Sequence, residues 1–266
     1  MAKKKNRRKV RVSGYDDTGY SSNRRDYDHQ SSYSSKKDMV PYYDLKPIRP
    51  KNELQQKYIN ALKEHSIVLS TGVAGTGKTY LAAVTAADML LDPSNPIEKI
   101  ILARPNCIEG TATIGLLPGT KDEKMAPWVA PVAEAIKDRI GKGRYEMFLK
   151  NETIELLPLE YIKGRTFNNA FVIIDEAEDI EYSVLKTLLL RKGIDSKIVI
   201  DGDIRQTSLR FESGLAKLMR IIDAYELPVC HVDFPSWDYC VRSKEVALMG
   251  ATFEEAEKSL GIRALR

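Results

Sequence analysis

Short apolar runs recur along residues 51–266, and each is followed by a stretch of different period. The runs predict strands at about 67–70, 99–103, 154–157, 170–174, 197–201 and 228–234. Ile67-Val68-Leu69-Ser70, Phe171-Val172-Ile173-Ile174 and Lys197-Ile198-Val199-Ile200-Asp201 are nearly continuous in apolar side chains. That is the pattern of a parallel strand covered on both faces. Between the runs the period changes. Leu54, Tyr58, Ile59 and Leu62 recur at helical spacing. Residues 81–91 are rich in strong helix formers, and Pro93 and Pro96 end them. Met125 to Ile140 is helical in pattern, with Pro127 and Pro131 breaking its first half. Thr252-Phe253-Glu254-Glu255 has the form of a capping box and predicts the start of a last short helix. Strands alternating with helices predict an α/β fold: a three-layer α/β/α sandwich around a mostly parallel sheet, as one domain over residues 51–266.

The first 50 residues are different. They carry 13 Lys and Arg against 6 Asp and Glu, a balance of +7. The rest carries 28 against 31, a balance of −3, so the basic excess lies wholly in the first segment. Residues 1–38 hold almost no aliphatic side chains and predict a disordered basic tail rich in Ser and Tyr. Two roles stand side by side for it. One is an arm on nucleic-acid phosphates, with Tyr15, Tyr20, Tyr27 and Tyr33 as stacking surfaces. The other is a solvated tail. Pro41, Pro47 and Pro50 make residues 39–50 an extended lead-in.

Composition narrows the classes. Apolar residues make up 43% and charged residues 29%, as in globular soluble chains. No apolar stretch reaches the roughly 20 residues that span a bilayer, and no apolar segment follows the basic start as in a secretory signal. Cys107, Cys230 and Cys240 are odd in number and not closely paired, which suits a reducing cytoplasm. No metal-cluster spacing accompanies them.

The chemistry enters at residues 72–79. Gly72-Val73-Ala74-Gly75-Thr76-Gly77-Lys78-Thr79 has the G-x-x-x-x-G-K-[ST] spacing of a phosphate-binding loop. Glycines at these places let successive backbone N–H groups turn toward phosphate oxygens, and the following helix adds the positive end of its dipole. Lys78 is placed for the β- and γ-phosphates and the Thr79 hydroxyl for Mg²⁺. The strand at 170–174 runs into Asp175-Glu176. Carboxylates at the carboxyl end of a parallel strand lie where open α/β sheets bind ligands. Asp175 is the candidate to hold Mg²⁺, and Glu176 to orient the attacking water. After the next strand, Gly202-Asp203-Ile204-Arg205-Gln206 is either a γ-phosphate sensor through Gln206 or an ordinary turn.

These blocks and several others resemble the PhoH-like ATPases, a P-loop family related to superfamily 1 helicase cores. The likeness covers about residues 48–250. Gln55 before Tyr58-Ile59 is similar to a family segment that contacts adenine. Ile101-Leu102-Ala103-Arg104-Pro105 resembles its Arg-Pro motif. Gly115-Leu116-Leu117-Pro118-Gly119-Thr120 with Glu123-Lys124, Tyr161 to Thr166, Ser213-Gly214-Leu215 and Asp238-Tyr239-Cys240-Val241-Arg242 resemble further blocks. The resemblance implies a single RecA-like P-loop NTPase domain that takes ATP and Mg²⁺. It implies nucleotide contacts from Gln55, residues 72–79 and Tyr80, magnesium contacts from Thr79 and Asp175, and catalytic roles for Lys78, Glu176, Gln206 and Arg242. Arg242 is the candidate arginine finger, in cis or from a neighbouring subunit, against the alternative of a surface ion pair. Arg104 and Arg165 are substitutes for it or line a nucleic-acid path. One departure stands out: where the family reads Asp-Glu-Ala-Gln, this chain has Glu178, a carboxylate expected to repel phosphate. Arg205 stands where the family often has Thr, a charge that offsets part of that change. The first 50 residues are too short and polar for the nuclease domain of some relatives, and a bacteriophage or bacterial member is implied.

Two functions from different classes follow. One is an ATPase acting on RNA or single-stranded DNA. A full helicase of this kind uses two such sheets, so a homo-oligomer is expected, a ring or similar assembly, with a hexamer among its candidate forms. The other is a nucleotide-dependent assembly or protein-partner switch. Both place the protein in the cytoplasm, that of a bacterial host if it is phage-encoded, with no membrane partner. A small-molecule kinase is a weaker third option, since no second substrate pocket shows in the sequence.

Overall fold

A computed structural model describes residues 45–105, 125–127, 129–207 and 212–261. The tail at 1–38, Cys107 and the Gly115–Lys124 block lie outside the described residues.

The first helix, α1 (Glu53–Glu64), begins where Asn52 caps it: the Asn52 side chain accepts the Gln55 N–H at 2.9 Å. It buries Tyr58, Ile59 and Leu62, the positions that its spacing put on one face. Then follow β1 (Ile67–Gly72), α2 (Lys78–Leu91) and β2 (Lys99–Arg104). Next come α3 (Ala130–Ile140), α4 (Lys142–Lys150), β3 (Ile154–Pro158) and β4 (Ala170–Ile174). The chain continues through α5 (Tyr182–Leu189), β5 (Lys197–Gly202), α6 (Gly214–Tyr225), β6 (Cys230–Phe234) and α7 (Lys244–Leu260). Pro131 lies in the first turn of α3, where a missing N–H costs nothing. The helix therefore starts at the break that the prolines predicted.

All six strands pair in parallel, in the order β3-β2-β4-β5-β1-β6. Along β1 to β5 alternate residues enter opposite cores, whereas the edge strand β6 buries only Val232 and Phe234. Ile100 and Leu102 face one cluster with Tyr58, Leu62, Ala83 and Ile136. Ile101 and Ala103 face the other with Leu185, Leu188, Leu215 and Leu218. Two apolar layers on one sheet give the three-layer sandwich, and they explain why these strands read as continuous apolar runs. At roughly 25 cal/mol per Å² of apolar area, the burial of such side chains is the main favourable term for the fold.

One boundary is corrected. The last helix is neither short nor opened by Thr252. It starts at Lys244, because the Ser243 hydroxyl accepts the Val246 N–H at 3.3 Å, and it runs for 17 residues. Glu254 is then free of capping duty and receives the Trp237 indole N–H at 3.0 Å and Lys258 at 2.8 Å.

Candidate functional site

The strand order decides the site. β4, β5 and β1 are neighbours, so the loops after Ile174, Gly202 and Gly72 leave the same edge of the sheet side by side. Residues more than 90 positions apart in sequence thereby line one cleft of about 350 Å³. Residues 74–80, Asp175, Glu176, Glu178, Gly202, Asp203, Gln206 and Arg242 border it.

The loop between β1 and α2 is shaped by two requirements that only glycine meets. Gly72 has φ +118°, and a Cβ there would lie 2.1 Å from the Phe234 carbonyl oxygen. Gly77 has φ +90°, and its Cβ would lie 2.9 Å from the Gln55 amide nitrogen. The backbone N–H of Val73 donates to the Phe234 carbonyl at 3.0 Å, which ties the loop to β6. Lys78 opens α2 and folds back over the loop. Its ammonium donates to the carbonyls of Gly72 at 2.7 Å and Val73 at 2.9 Å. Burial pulls its pKa below the ordinary lysine value, opposed by the charges of Asp201 and Asp203. Hydrogen bonds from a charged group to an anionic acceptor are stronger than those to neutral carbonyls.

The carboxylates behave differently from one another. Asp175 is buried, and its Oδ1 accepts the Thr79 hydroxyl at 3.0 Å. Burial raises its pKa and the Glu176 charge adds to that, while Arg104 and Thr79 counter them. Glu176 sits in the left-handed region at φ +54° and pairs with Arg104 at 2.6 Å. Backbone held at such a φ by a non-glycine residue is costly and clusters at functional sites. Glu178, expected to repel phosphate, is instead buried and turned inward. Its Oε2 accepts the Asp203 N–H at 3.0 Å, and its backbone carbonyl accepts the Ser213 and Thr207 hydroxyls. Burial and the neighbouring Glu176 push its pKa up to about 8.

The remaining candidates divide. Gln206 borders the cleft, with its amide donating to Asp203 at 2.9 Å. Arg242 also borders it: the Val241 N–H donates to the Gly75 carbonyl at 2.9 Å, and the Arg242 stem lies over Gly75. Among the described residues Arg242 has no ion-pair partner. Tyr80 is half exposed at the rim. Gln55 is buried, and its amide is spent on backbone: it donates to Thr76 at 2.8 Å and accepts from Lys51 at 2.8 Å. Arg165 is away from the cleft. It forms a two-pronged pair with Glu155 on β3 at 2.6 and 2.8 Å.

Sequence reasoning passed over one group. Asp201, at the end of β5, is fully buried below the loop. Its Oδ1 accepts the Tyr58 hydroxyl at 2.7 Å and the Ser70 hydroxyl at 2.6 Å. Burial raises its pKa to about 7. A carboxyl inside an otherwise apolar strand was the available signal.

Comparison with known proteins follows from this geometry. The family model described as PhoH-like protein matches residues 47–254. A PhoH-like protein of Bacillus subtilis is 41% identical over 173 residues, 64% of this chain and 53% of its own. Protein PhoH of Escherichia coli is 35% identical over 204 residues, 75% of this chain and 56% of its own. The chain thus spans a little over half the length of these relatives. Among solved structures, the large terminase of bacteriophage HK97 shares the fold at a TM-score of 0.50 and 13% identity, over 81% of this chain and 49% of that one.

Proposed function

Because the chain belongs to the PhoH-like protein family, we propose that it binds ATP with magnesium at residues 72–80 and hydrolyses it with water, coupled to RNA or single-stranded DNA. The observation that carries the proposal is the 3.0 Å contact between the Thr79 hydroxyl and Asp175. It joins the end of the glycine loop to the end of β4. Oxygen donors of this kind suit a small hard cation, so Thr79 and Asp175 would hold Mg²⁺. The ion, when bound, supplies charge neutralisation at the phosphate oxygens.

The side chains then have separate tasks. Lys78 releases the Gly72 and Val73 carbonyls and pairs with phosphate. Glu176, paired with Arg104, orients the water. Gln206 meets the terminal phosphate. Arg242 offers a guanidinium to the charge that builds up on the transferred group, a contribution of roughly 10³–10⁵ in rate when well placed.

A second reading rests on α7. Leu248, Met249, Phe253 and Leu260 of this helix are all exposed. An apolar set on one helix favours a protein partner, a second copy of the chain included, so that nucleotide state would govern assembly. A homo-oligomer, a ring in the first reading, fits both. A cytoplasmic setting also belongs to the proposal; no described helix is long and apolar enough to cross a membrane.

ATPase rate measured with and without RNA or single-stranded DNA separates the two. Stimulation that fades in high salt supports polymer coupling. A rate indifferent to polymer, with mass that changes with nucleotide, supports the switch.

A further inference from the structure

Two exposed apolar surfaces lie at opposite edges of the sheet. One is a stripe on α7. Met249, Phe253 and Leu260 follow one another at four and seven residues, which puts them on one side of the helix, and they are 49%, 64% and 70% exposed. The other side is spent on the chain itself. Gly250 lies against the Trp237 ring, where a Cβ would come within 2.5 Å, and Glu254 accepts the Trp237 N–H at 3.0 Å. The helix starts at the carboxyl edge of the sheet, since the Val241 N–H just before it donates to the Gly75 carbonyl at 2.9 Å.

The second surface is the turn from α5 to β5, where Leu190 and Ile194 are 72% and 75% exposed. This turn is at the amino edge. The N–H of Asn169, the residue before β4, donates to the Ile194 carbonyl at 2.9 Å, and that of Phe167 donates to the Arg191 carbonyl at 2.9 Å. The charges of the two surfaces differ in sign. α7 carries four Glu against two Lys, whereas residues 186–197 carry Lys186, Arg191, Lys192 and Lys197 against Asp195. Among the described residues neither Glu255 nor Glu257 has an ion-pair partner, and neither do Lys186, Arg191 and Lys192. Strands of five or six residues hold the two edges roughly 15–20 Å apart, so one copy does not bring its own surfaces together.

We propose that the α7 stripe of one copy seats on the Leu190–Ile194 turn of the next, apolar against apolar, with Glu255 and Glu257 facing the basic side chains around the turn. Two unlike surfaces of one chain that suit each other join copies head to tail, and the chain of copies closes as a ring or runs on as a filament. This inference rests on the second reading above and names the surface that α7 meets. The 3.5 Å pair of Glu254 with Arg205 joins α7 to the loop that carries Gln206, a path from the cleft to the joint.

The test is mass by light scattering over a range of protein concentrations, with and without a slowly hydrolysed ATP analogue and magnesium. Phe253→Asp puts a charge on the stripe and Ile194→Asp puts one on the turn. Both side chains are exposed, so unfolding midpoints should match the parent and report that the fold is kept. The parent is expected to assemble in at least one nucleotide state, and each variant alone to have the mass of one chain. An equal mixture of the two variants should reach two chains and stop, because only the intact α7 of one can meet the intact turn of the other. A mixture that stays monomeric at any concentration overturns the proposal. So does an Ile194→Asp protein that assembles like the parent; if Phe253→Asp is then monomeric, α7 still binds protein but elsewhere. Parent-like assembly of Phe253→Asp contradicts both this inference and the reading of α7 beneath it. A parent that is a single chain throughout overturns the proposal and leaves α7 to a different protein or to residues 1–44.

Discussion

Arg104 Nη2 lies 2.6 Å from Glu176 Oε1, across the carboxyl ends of β2 and β4. The two residues are 72 positions apart, and they meet because β2 and β4 are adjacent in the sheet. The guanidinium holds one Glu176 oxygen and so limits where the other points. Arg104→Ala should therefore lower kcat about tenfold with less than about a threefold change in KM, a split that steady-state kinetics reads directly. A larger loss in KM than in kcat would mean that Arg104 serves nucleotide binding instead.

Lys78 and Glu176 border the same cleft, and the proposed function gives them different tasks. Lys78→Ala removes the cation that the proposed function assigns to phosphate and should abolish measurable nucleotide binding. Glu176→Gln leaves binding within about threefold and removes turnover by about 10²-fold or more, as loss of a general base does. Fluorescent-nucleotide titration and hydrolysis rates on the two variants check the pair. Equal loss of binding in both would remove the distinction.

Gly72 is a structural prediction. With φ at +118° and the Phe234 carbonyl in the way, Gly72→Ala must move β6 away from the loop. The expected cost is about 2–4 kcal/mol of stability, seen as a lower urea midpoint, together with weaker nucleotide binding.

Asp201 sets a pH dependence. Its folded pKa is raised to about 7 from an ordinary 3.8. The folded state then holds a proton that the unfolded chain gives up. Its contribution is fully present below about pH 4 and is lost as pH rises through about 7. Asp175 and Glu178 are shifted in the same direction and add to the slope. Denaturation midpoints between pH 5 and pH 8 should fall less steeply in Asp201→Asn than in the parent. Parallel curves would rule out Asp201 as a source.

Arg242 reaches the cleft from within its own chain through the Val241–Gly75 contact. If it also serves a neighbour, mixing Arg242→Ala with Glu176→Gln protein recovers activity at intermediate ratios. Strict action within one chain gives no recovery at any ratio.

Much of this was legible in the residues themselves. The phosphate loop, the six strands and the Asp175-Glu176 pair depend on local pattern, and local pattern survives into the fold. Partnerships across the sheet do not announce themselves. Arg104 with Glu176, Tyr58 with Asp201 and Glu178 with Asp203 each depend on which strands become neighbours. Residue type alone does not tell that Glu178 is buried and bonded to the Asp203 N–H. The bonds of the Gln55 amide to Thr76 and Lys51 likewise depend on how α1 packs against the loop. The last helix was begun too late because the Thr252 pattern outranked a better cap at Ser243.

Calorimetric titration of the parent chain and of Lys78→Ala with a slowly hydrolysed ATP analogue and magnesium tests the central claim most directly. Saturable heat in the parent and none in the variant is the expected result. Heat absent from the parent at every magnesium concentration, or equal in the two proteins, would contradict a nucleotide site on the loop at 72–79.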